Sequence, residues 1–286
     1  MDIPSSIDYL VKAQHASGGW GYKTGHRPVV EATAVVLLSL REEPSSQGAF
    51  QHGMKWLLGC QHEDGGWGIN ESDFESCWHT AWALIVLKAA SQDTGMISRG
   101  ETWLSEVATY EVSSEAIHSH IPVSFSIGAF AWPWLPGQIP WVEPTALALL
   151  ALKGMTNSSL VEIRQKSALD YLRRYRTPTG GWWTGNAGPL DTIVIPRVYQ
   201  TSLALIALAS VSKSDIQSAD LTVLQQDLET EPGMLAHAIG LLAMRLLEAS
   251  GDNSATILTS QQLPDGSWEN NPFVTGWAIL ASKGAL

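Results

Sequence analysis

The sequence predicts an all-α fold: a closed (α/α)6 barrel, or toroid, of six helical hairpins with about twelve helices. Two features that recur together along the chain predict it, a glycine-tryptophan turn and the strongly apolar segment that follows the turn. The clearest copy reads QHEDGGWG from Gln61, reaches Thr80 thirteen residues after Trp67, and continues as TAWALIVL. A unit that recurs in this way indicates stacked helical repeats.

Five further units share parts of this layout. The first has QHASGGWG before Thr33, the third has Trp132 at the same distance before its threonine, and the fourth has RTPTGGWW before Thr201. The sixth has QLPDGSW before Thr275. The fifth keeps the apolar run, HAIGLLAM, but has His237 in place of the threonine and lacks the turn. Six units predict six hairpins.

Each hairpin combines two kinds of helix. The segment before the turn is amphipathic, as in IDYLVKAQ and SALDYLRRY, so it has one solvent-exposed face. The segment after the threonine is apolar all round, which predicts burial on both sides. We therefore expect an inner ring of buried helices inside an outer ring of amphipathic ones. A straight solenoid is the alternative, but solenoids normally have polar terminal repeats, and the last segment, TGWAILAS, is as apolar as the others.

The turns themselves have a structural role in this interpretation. Paired glycines such as Gly65 and Gly66 give the backbone the freedom to leave a helix sharply. The glutamine six residues before the tryptophan can hydrogen-bond free backbone groups at a helix end, and the tryptophan packs over the loop. These residues are therefore assigned to the scaffold: Gln14, Gln61, Gln262, Trp20, Trp67 and Trp268.

Composition excludes several classes of function. The 286 residues carry a net charge of −11, so the basic face that nucleic-acid binding needs is missing. The two cysteines make no disulfide framework. Apolar stretches are far shorter than the roughly 20 residues that span a bilayer, and the N-terminus does not resemble a signal peptide. We expect one cytoplasmic α/α-barrel domain over residues 1–286, without a transmembrane segment; peripheral membrane contact and the oligomeric state stay open. Residues 110–131 exceed the repeat spacing and predict a lid or plug, or alternatively a surface loop.

The turn motifs are similar to those of a known superfamily. The strings Q-x-x-D-G-G-W at Gln61–Trp67 and Q-L-P-D-G-S-W at Gln262–Trp268 resemble the QW motifs of squalene-hopene and oxidosqualene cyclases. Related repeats build the α/α barrels of protein prenyltransferase β subunits and the β domain of class II terpene cyclases. The resemblance covers essentially the whole chain, whose length allows one such barrel. It implies a central cavity lined by the N-terminal ends of the inner helices.

The repeat places one set of residues at that cavity. Counted from the threonine of each unit, the position two before it holds Glu31, Trp78, Glu143, Tyr199, Leu235 and Phe273. The positions one and four before it add His79, Gln200, Trp141 and Arg197. We predict Glu143, Glu31 and His79 as catalytic. The predicted substrate-binding residues are Trp78, Trp141, Tyr199, Arg197, Gln200, His237, Phe273, Trp132 and Trp134.

The two glutamates are the residues on which a reaction depends. Class II cyclases have a D-x-D-D-T motif at this place, and its middle aspartate protonates an alkene or epoxide. The corresponding strings here are V-V-E-A-T at Val29–Thr33 and W-V-E-P-T at Trp141–Thr145, which keep the middle acid and lack the flanking aspartates. An aromatic cavity raises the pKa of a carboxyl and keeps it protonated, whereas a helix N-terminus favours the carboxylate. Either glutamate also fits a plain first-turn role at a helix start.

A metal site is the alternative chemistry. The string E-S-C-W-H at Glu75–His79 resembles the D-x-C stretch of protein prenyltransferase β subunits, and His237 resembles their histidine ligand. These residues belong to the second and fifth units, which a six-fold ring places opposite each other. Zinc bonds are about 2.0–2.3 Å long, so we expect no zinc site and no other cofactor.

Three functions follow. The first is a class II-like cyclase or isomerase that protonates an isoprenoid or another polyene in an aromatic cavity, with Glu143 as the general acid. The second is a non-catalytic ring that binds an apolar ligand or a partner protein, which the missing aspartates favour. The third is a cyclase of a non-terpenoid natural product, in which the cavity acts mainly as a shape template.

Overall fold

The structure is a computed structural model that describes residues 1–92, 94–109, 131–155, 158–185 and 195–286. These residues contain twelve α-helices, two short 3-10 turns and isolated β-bridges, so the predicted all-α class is confirmed. In chain order the helices are α1 (Ile3–Lys12), α2 (Val30–Leu40), α3 (Gln47–Gly59), α4 (His79–Ala89), α5 (Thr94–Glu106), α6 (Val142–Ala151), α7 (Ser159–Arg174), α8 (Val198–Val211), α9 (Ser218–Thr230), α10 (Met234–Leu246), α11 (Asp252–Gln261) and α12 (Pro272–Lys283).

The even-numbered helices form a closed inner ring. Each of α2, α4, α6, α8 and α10 packs against the next even-numbered helix, and α12 packs against α2. The odd-numbered helices lie outside, each against a neighbouring inner helix. A straight solenoid would leave its two end repeats apart, so the contact between α12 and α2 confirms the closed (α/α)6 barrel.

Burial separates the two rings as the sequence predicts. All eleven residues of α2 are buried, whereas α1 buries only Ser6, Ile7, Tyr9 and Leu10. An inner helix has neighbours on both sides, and an outer helix has them on one, so the first is apolar all round and the second is amphipathic. Removing apolar area from water contributes about 25 cal/mol per Å², which makes the inner ring the main source of stability.

Five tryptophans tie each turn to the helices on either side of it. In every case the indole N–H donates to a leucine carbonyl in the preceding outer helix at 2.7–2.8 Å. The backbone N–H of the same tryptophan donates to the threonine Oγ1 of the following inner helix at 2.8–3.2 Å. The five are Trp20, Trp67, Trp132, Trp182 and Trp268. Because every polar group of the indole and its amide has a partner, these large side chains can be fully buried.

The turn glutamines connect neighbouring hairpins. Gln61 Nε2 donates to the carbonyl of Gly65 within its own turn at 2.9 Å, and to the carbonyl of Met96 in the next outer helix at 3.0 Å. Gln14 makes the equivalent pair of bonds in the first unit. The repeat therefore carries its own means of fixing one hairpin against the next.

The same device closes the ring. Gln262 Nε2 donates to the carbonyl of Asp2 at 2.9 Å, and the Asp2 amide donates back to Gln262 Oε1 at 2.7 Å. Gly266 has a φ of +88°, and a Cβ there would lie 2.3 Å from the carbonyl carbon of Ser5. Glycine is therefore required where the last turn meets the first outer helix.

Two predictions concern segments rather than the ring. The predicted lid or plug at 110–131 lies outside the described residues except for Ala131, which is buried. In the part of the chain that the structure describes, no helix has both the length and the apolar character needed to cross a bilayer.

Candidate functional site

Three inner helices bring polar side chains together at their N-terminal ends. Glu31 lies in the first turn of α2, Glu143 in that of α6 and Tyr199 in that of α8. The two glutamates are only 7% and 8% exposed. Because α2 and α8 are the first and fourth of six inner helices, a contact between them crosses the ring. The register positions therefore meet in its centre.

Hydrogen bonds join these side chains. The Tyr199 hydroxyl donates to Glu31 Oε1 over 3.4 Å. The Tyr22 hydroxyl, from the loop before α2, donates a short hydrogen bond to Glu31 Oε2. Tyr199 and Gln200 lie close to the carboxyl of Glu143 and act to lower its pKa. Tyr199 thus hydrogen-bonds to Glu31 and lies close to Glu143.

Glu31 is a buried carboxyl with several donors around it. Burial raises the pKa of Glu31 to about 7, while the hydrogen bonds from Tyr22 and Tyr199 act in the opposite direction. The indole nitrogen of Trp82 faces the same carboxyl without reaching hydrogen-bond geometry. These donors, together with the N-terminus of α2, favour the ionised form of Glu31 relative to an isolated buried acid.

Glu143 holds its proton more strongly than Glu31. Burial raises the pKa of Glu143 to about 8, and the neighbouring charge of Glu31 adds to the effect. Two adjacent buried carboxyls titrate as a pair, because the first ionisation opposes the second. The pair therefore keeps at least one proton at neutral pH, and Glu143 is its preferred position.

Aromatic rings surround Glu31. Tyr22 contacts Phe273 edge to face with ring centroids 5.5 Å apart, and Phe273 contacts Trp277 in the same way at 6.3 Å. Trp277 in turn contacts Trp82 at 5.8 Å. Trp82 and Trp277 are fully buried and Phe273 is nearly so, so these rings form a packed apolar wall on this side of the ring.

His79 has a different partner from the one a catalytic role requires. Its Nδ1 lies 3.1 Å from the Cys77 Sγ, and its ring lies 4.4 Å from that of Trp78. Burial lowers the pKa of His79 to about 4 and raises that of Cys77 to about 12, so both are neutral at pH 7. The structure pairs His79 with this thiol rather than with either glutamate.

Three tryptophans lie near the starts of α4 and α6: Trp78, Trp134 and Trp141. Trp78 and Trp134 meet edge to face at 4.6 Å and line a cleft together with Trp103. Trp141 is the residue before α6, and its amide donates to the carbonyl of Trp132. These half-buried indoles extend the aromatic character of the rim.

Trp132 is predicted from the sequence to bind substrate, but the structure gives it a position in the scaffold. It is 1% exposed, its indole N–H donates to the Leu104 carbonyl at 2.8 Å, and the Arg164 guanidinium covers its ring at 4.5 Å. It is the scaffold tryptophan of the third hairpin. The fully covered ring leaves no surface for a ligand.

His237 is also directed away from the acids. Its Nδ1 lies 3.1 Å from Ser254 Oγ in α11, and its Nε2 lies 2.8 Å from the Glu231 carbonyl. Both ring nitrogens are thus occupied within the scaffold, so His237 and the Cys77–His79 pair do not form one site. Among the described residues, no group of three or more potential metal ligands occurs.

The fourth hairpin places its two predicted residues differently. Gln200 reaches Glu143, as the register predicts. Arg197 is exposed and stacks over the Trp183 ring at 5.0 Å. Arg197 therefore lies at the rim of the ring rather than beside the acids.

Sequence reasoning missed three residues of the cluster: Tyr22, Trp82 and Trp277. The two tryptophans stand two residues after the threonine of their units. That is four residues after the predicted cavity position, so they lie one helical turn deeper on the same face. The register could have found them. Tyr22 stands two residues after the turn tryptophan, as Ile69 and Trp134 do in the second and third units, so the repeat could have found it as well.

Comparisons with known proteins agree with this architecture. The family model described as squalene-hopene cyclase C-terminal domain matches residues 1–78, and the prenyltransferase alpha-alpha toroid domain model matches residues 135–240. No curated protein sequence matches the chain.

Solved structures share the fold over the whole chain. The type II terpene cyclase MstE from Scytonema matches with a TM-score of 0.63 and 17% identity, covering 98% of this chain and 96% of that one. An MstE variant in complex with geranylgeranyl dihydroxybenzoate matches with a TM-score of 0.64 and 18% identity, over 98% and 95% of the two chains. An alpha-amylase from Clostridium perfringens matches with a TM-score of 0.67 and 10% identity, over 99% and 98%.

At these identities the likeness establishes the fold and leaves the reaction open, since one fold hosts several activities. The closed ring of hairpins, its QW-type turns and the two family models lead to one assignment. The chain is an α/α toroid that resembles the squalene-hopene cyclase C-terminal domain over residues 1–78 and the prenyltransferase toroid domain over residues 135–240, and its fold is similar to that of the type II terpene cyclase MstE.

Proposed function

We propose that this protein is a class II-type cyclase or isomerase that starts its reaction by protonating an isoprenoid or related polyene, with Glu143 as the general acid. The observation that carries the proposal is the buried carboxyl pair, Glu31 and Glu143, beside aromatic rings. Burial raises the pKa of Glu143 to about 8, so its carboxyl is protonated at neutral pH. A neutral carboxylic acid in an apolar site is what protonation of a weakly basic double bond requires.

The chemistry needs no co-reactant. The electron pair of the substrate double bond takes the proton from Glu143, which leaves a carbocation on the substrate and a carboxylate on the enzyme. Attack by a second double bond closes a ring and moves the positive charge along the chain. Loss of a proton ends the sequence, and the product is an isomer of the substrate. The rings of Tyr22 and Phe273, which pack edge to face beside Glu31, are suited to stabilising the cation.

Glu31 supports Glu143 in this proposal. Its three neighbouring donors stabilise its charged form, and a charged Glu31 keeps the proton on Glu143. This division of roles resembles other carboxyl pairs whose surroundings separate their pKa values. Tyr199 hydrogen-bonds to Glu31 and lies close to Glu143.

The substrate class follows from the surroundings and the fold. An aromatic, water-poor space favours an apolar chain. The related MstE variant binds geranylgeranyl dihydroxybenzoate. We therefore propose a substrate with a prenyl chain of this kind.

The test is incubation of the purified protein with farnesyl diphosphate, geranylgeranyl diphosphate, squalene and geranylgeranyl dihydroxybenzoate. Mass spectrometry should reveal a product of unchanged mass and altered retention. Glu143→Gln should lower its rate of formation about a hundredfold or more. Glu75→Gln, which removes an exposed acid of the second loop, should act like wild type.

Two outcomes would contradict the proposal. A Glu143→Gln variant as active as wild type would remove the proposed acid. Binding of the same isoprenoids without any product, equal in wild type and in the Glu31→Gln/Glu143→Gln double variant, would support a non-catalytic ring instead. Turnover of a non-terpenoid polyene alone would assign the chain to the third function predicted above.

A further inference from the structure

The interior of the ring is filled one helical turn below the acid pair. The residue two positions after the threonine, or after His237 in the fifth unit, lies four residues beyond the cavity position of its inner helix and therefore on the same face. In all six units this residue is 0% exposed. We call these residues the floor of the site: Val35, Trp82, Leu147, Leu203, Ile239 and Trp277. Because solvent reaches none of them, the open space beside the acids ends above the floor.

Two tryptophans are the largest residues of the floor. Trp82 in α4 and Trp277 in α12 contact each other edge to face with ring centroids 5.8 Å apart, although α2 lies between these two helices in the ring. Their contact therefore crosses the interior of the ring. Trp277 also contacts Phe273, one turn above it, at 6.3 Å, and Trp82 faces the carboxyl of Glu31. The two indoles thus lie directly beneath the candidate site.

These indoles are not held as the turn tryptophans are. Each of the five turn tryptophans donates its indole N–H to a leucine carbonyl. Among the described residues, neither Trp82 Nε1 nor Trp277 Nε1 has a hydrogen-bond acceptor. A buried donor without an acceptor costs free energy, and leucine fills the same position without that cost, as Leu147 and Leu203 do in the third and fourth units. Stability alone therefore gives no reason for tryptophan at these two positions.

We propose that Trp82 and Trp277 are specificity-determining residues that set the depth of the site, so that it takes a prenyl chain of geranylgeranyl length and excludes longer chains. The proposal rests on the proposed function, because it concerns the same site and the same class of substrate. A chain whose reacting end lies at Glu143 cannot extend past the floor while the two indoles fill the ring. A further isoprene unit has to stay outside the apolar interior.

The energy of burial makes this limit measurable. In a site without a floor, one further buried isoprene unit would raise the affinity about a hundredfold or more, because each apolar carbon gains free energy on leaving water. With the floor in place, the extra unit stays outside and adds little. Replacing either tryptophan with leucine leaves an apolar space about the size of one isoprene unit. Such a space stays dry and accepts an apolar group.

Binding of two prenyl alcohols that differ by one isoprene unit tests the floor. Equilibrium dialysis of the purified full chain with geranylgeraniol and with geranylfarnesol gives two dissociation constants, and their ratio is compared between proteins. The wild type should bind geranylfarnesol no more tightly than geranylgeraniol. Trp277→Leu and Trp82→Leu should each shift the ratio in favour of geranylfarnesol about tenfold or more.

Trp56→Leu is the matched control. Trp56 is a buried tryptophan of the outer helix α3, and its indole N–H donates to the exposed Glu71. Its replacement makes a cavity of similar size away from the floor and should leave the ratio unchanged. Circular dichroism checks the fold of each variant. If a leucine variant does not fold, the phenylalanine variant of the same tryptophan should give a smaller shift in the same direction.

Three results would overturn the floor. The first is a wild type that binds geranylfarnesol about a hundredfold more tightly than geranylgeraniol. The second is an unchanged ratio in folded variants of both floor tryptophans, and the third is an equal shift in Trp56→Leu. Absence of binding of both alcohols to the wild type would also contradict the proposal, because it places a prenyl-binding site above the floor.

Turnover separates the floor from the proposed reaction. The expected binding ratios without conversion of any of the four isoprenoids would support the floor and contradict the proposed function. If product is formed, the wild type should convert geranylgeranyl diphosphate and should not convert squalene. Equal conversion of both by the wild type would support the proposed reaction and overturn the floor.

Discussion

Tyr199 donates a hydrogen bond to Glu31 over 3.4 Å, although the two residues start helices on opposite sides of the inner ring. Their long side chains span the centre of the barrel. A contact of this kind depends on every hairpin between the two residues. The candidate site is therefore sensitive to the closure of the whole ring, and both its acidity and its stability can be measured.

The stability of the protein should fall as the pH rises from about 4.5 to about 8. Burial raises the pKa of Glu31 to about 7 and that of Glu143 to about 8, above the ordinary value of 4.5. The pKa values of both carboxyls are higher in the folded than in the unfolded protein. The carboxyls therefore contribute their full stabilisation below about pH 4.5, and this stabilisation is lost as the pH rises through about 7 and 8. Urea unfolding should report a decrease on the order of a few kcal/mol.

The control for this pH dependence is a pair of variants. The double variant Glu31→Gln/Glu143→Gln should lose most of the decrease, whereas Glu75→Gln should keep it because Glu75 is exposed. His79, with its lowered pKa, contributes equally in all three proteins. An identical pH dependence in wild type and the double variant would show that the two acids ionise like surface carboxyls.

The pH profile of the proposed reaction should report the charge of Glu31. The reaction needs protonated Glu143, so its rate should fall as the pH rises through about 8. In Glu31→Gln the neighbouring charge that raises the pKa of Glu143 is absent, and the falling limb should move to lower pH. Steady-state rates between pH 5 and pH 9 test the shift. A falling limb that moves to higher pH or stays in place would show that the charge of Glu31 does not raise the pKa of Glu143.

Two neighbouring tryptophans should differ in their effect on stability. Trp132→Phe removes a fully buried indole and leaves the Leu104 carbonyl without its donor, so it should cost about 3 kcal/mol. Trp134→Phe changes a half-buried ring and should cost less than about 1 kcal/mol. Urea unfolding of both variants gives the comparison. Equal losses would contradict the scaffold role of Trp132.

The contact that closes the ring, between Gln262 and Asp2, should contribute measurably to the stability of the protein. Gln262→Ala removes the hydrogen bonds to Asp2 and Gly266, which should cost about 1–2 kcal/mol. Gln261→Ala changes the adjacent exposed side chain and is the matched control, with an expected change within about 0.5 kcal/mol. Thermal unfolding of both variants measures the difference. Similar midpoints would mean that the first and last turns hold together without this glutamine.

The fold was predictable because the repeated sequence pattern specifies the structure of each hairpin. The backbone N–H of the turn tryptophan bonds to the threonine hydroxyl in five units, across 13 residues in three of them, as in Trp67 and Thr80, and across 19 and 7 in the other two. The alternation of amphipathic and apolar segments separates outer from inner helices. Closure followed from the apolar character of the last segment, and the packing of α12 on α2 confirms it.

The site was predictable only in part. Counting from the threonine identifies helix faces, so it brought Glu31, Glu143 and Tyr199 into one group. Counting does not give the direction of a side chain. His237 occupies the threonine position of its unit, but its ring bonds to Ser254 of the outer helix α11. Tyr22 stands two residues after Trp20, the position that Trp134 has in the third unit, but the repeat does not say what its hydroxyl bonds to. Its contact with Glu31 is set by tertiary structure alone.

The closing of the ring also has a consequence for folding during synthesis. Glu31 is made early, yet the wall beside it is completed by Phe273 and Trp277 of α12, which contact Tyr22 and Trp82. Until α12 is made, this wall beside Glu31 is missing. Because burial raises the pKa of Glu31, we expect its full shift only after the first and last hairpins meet.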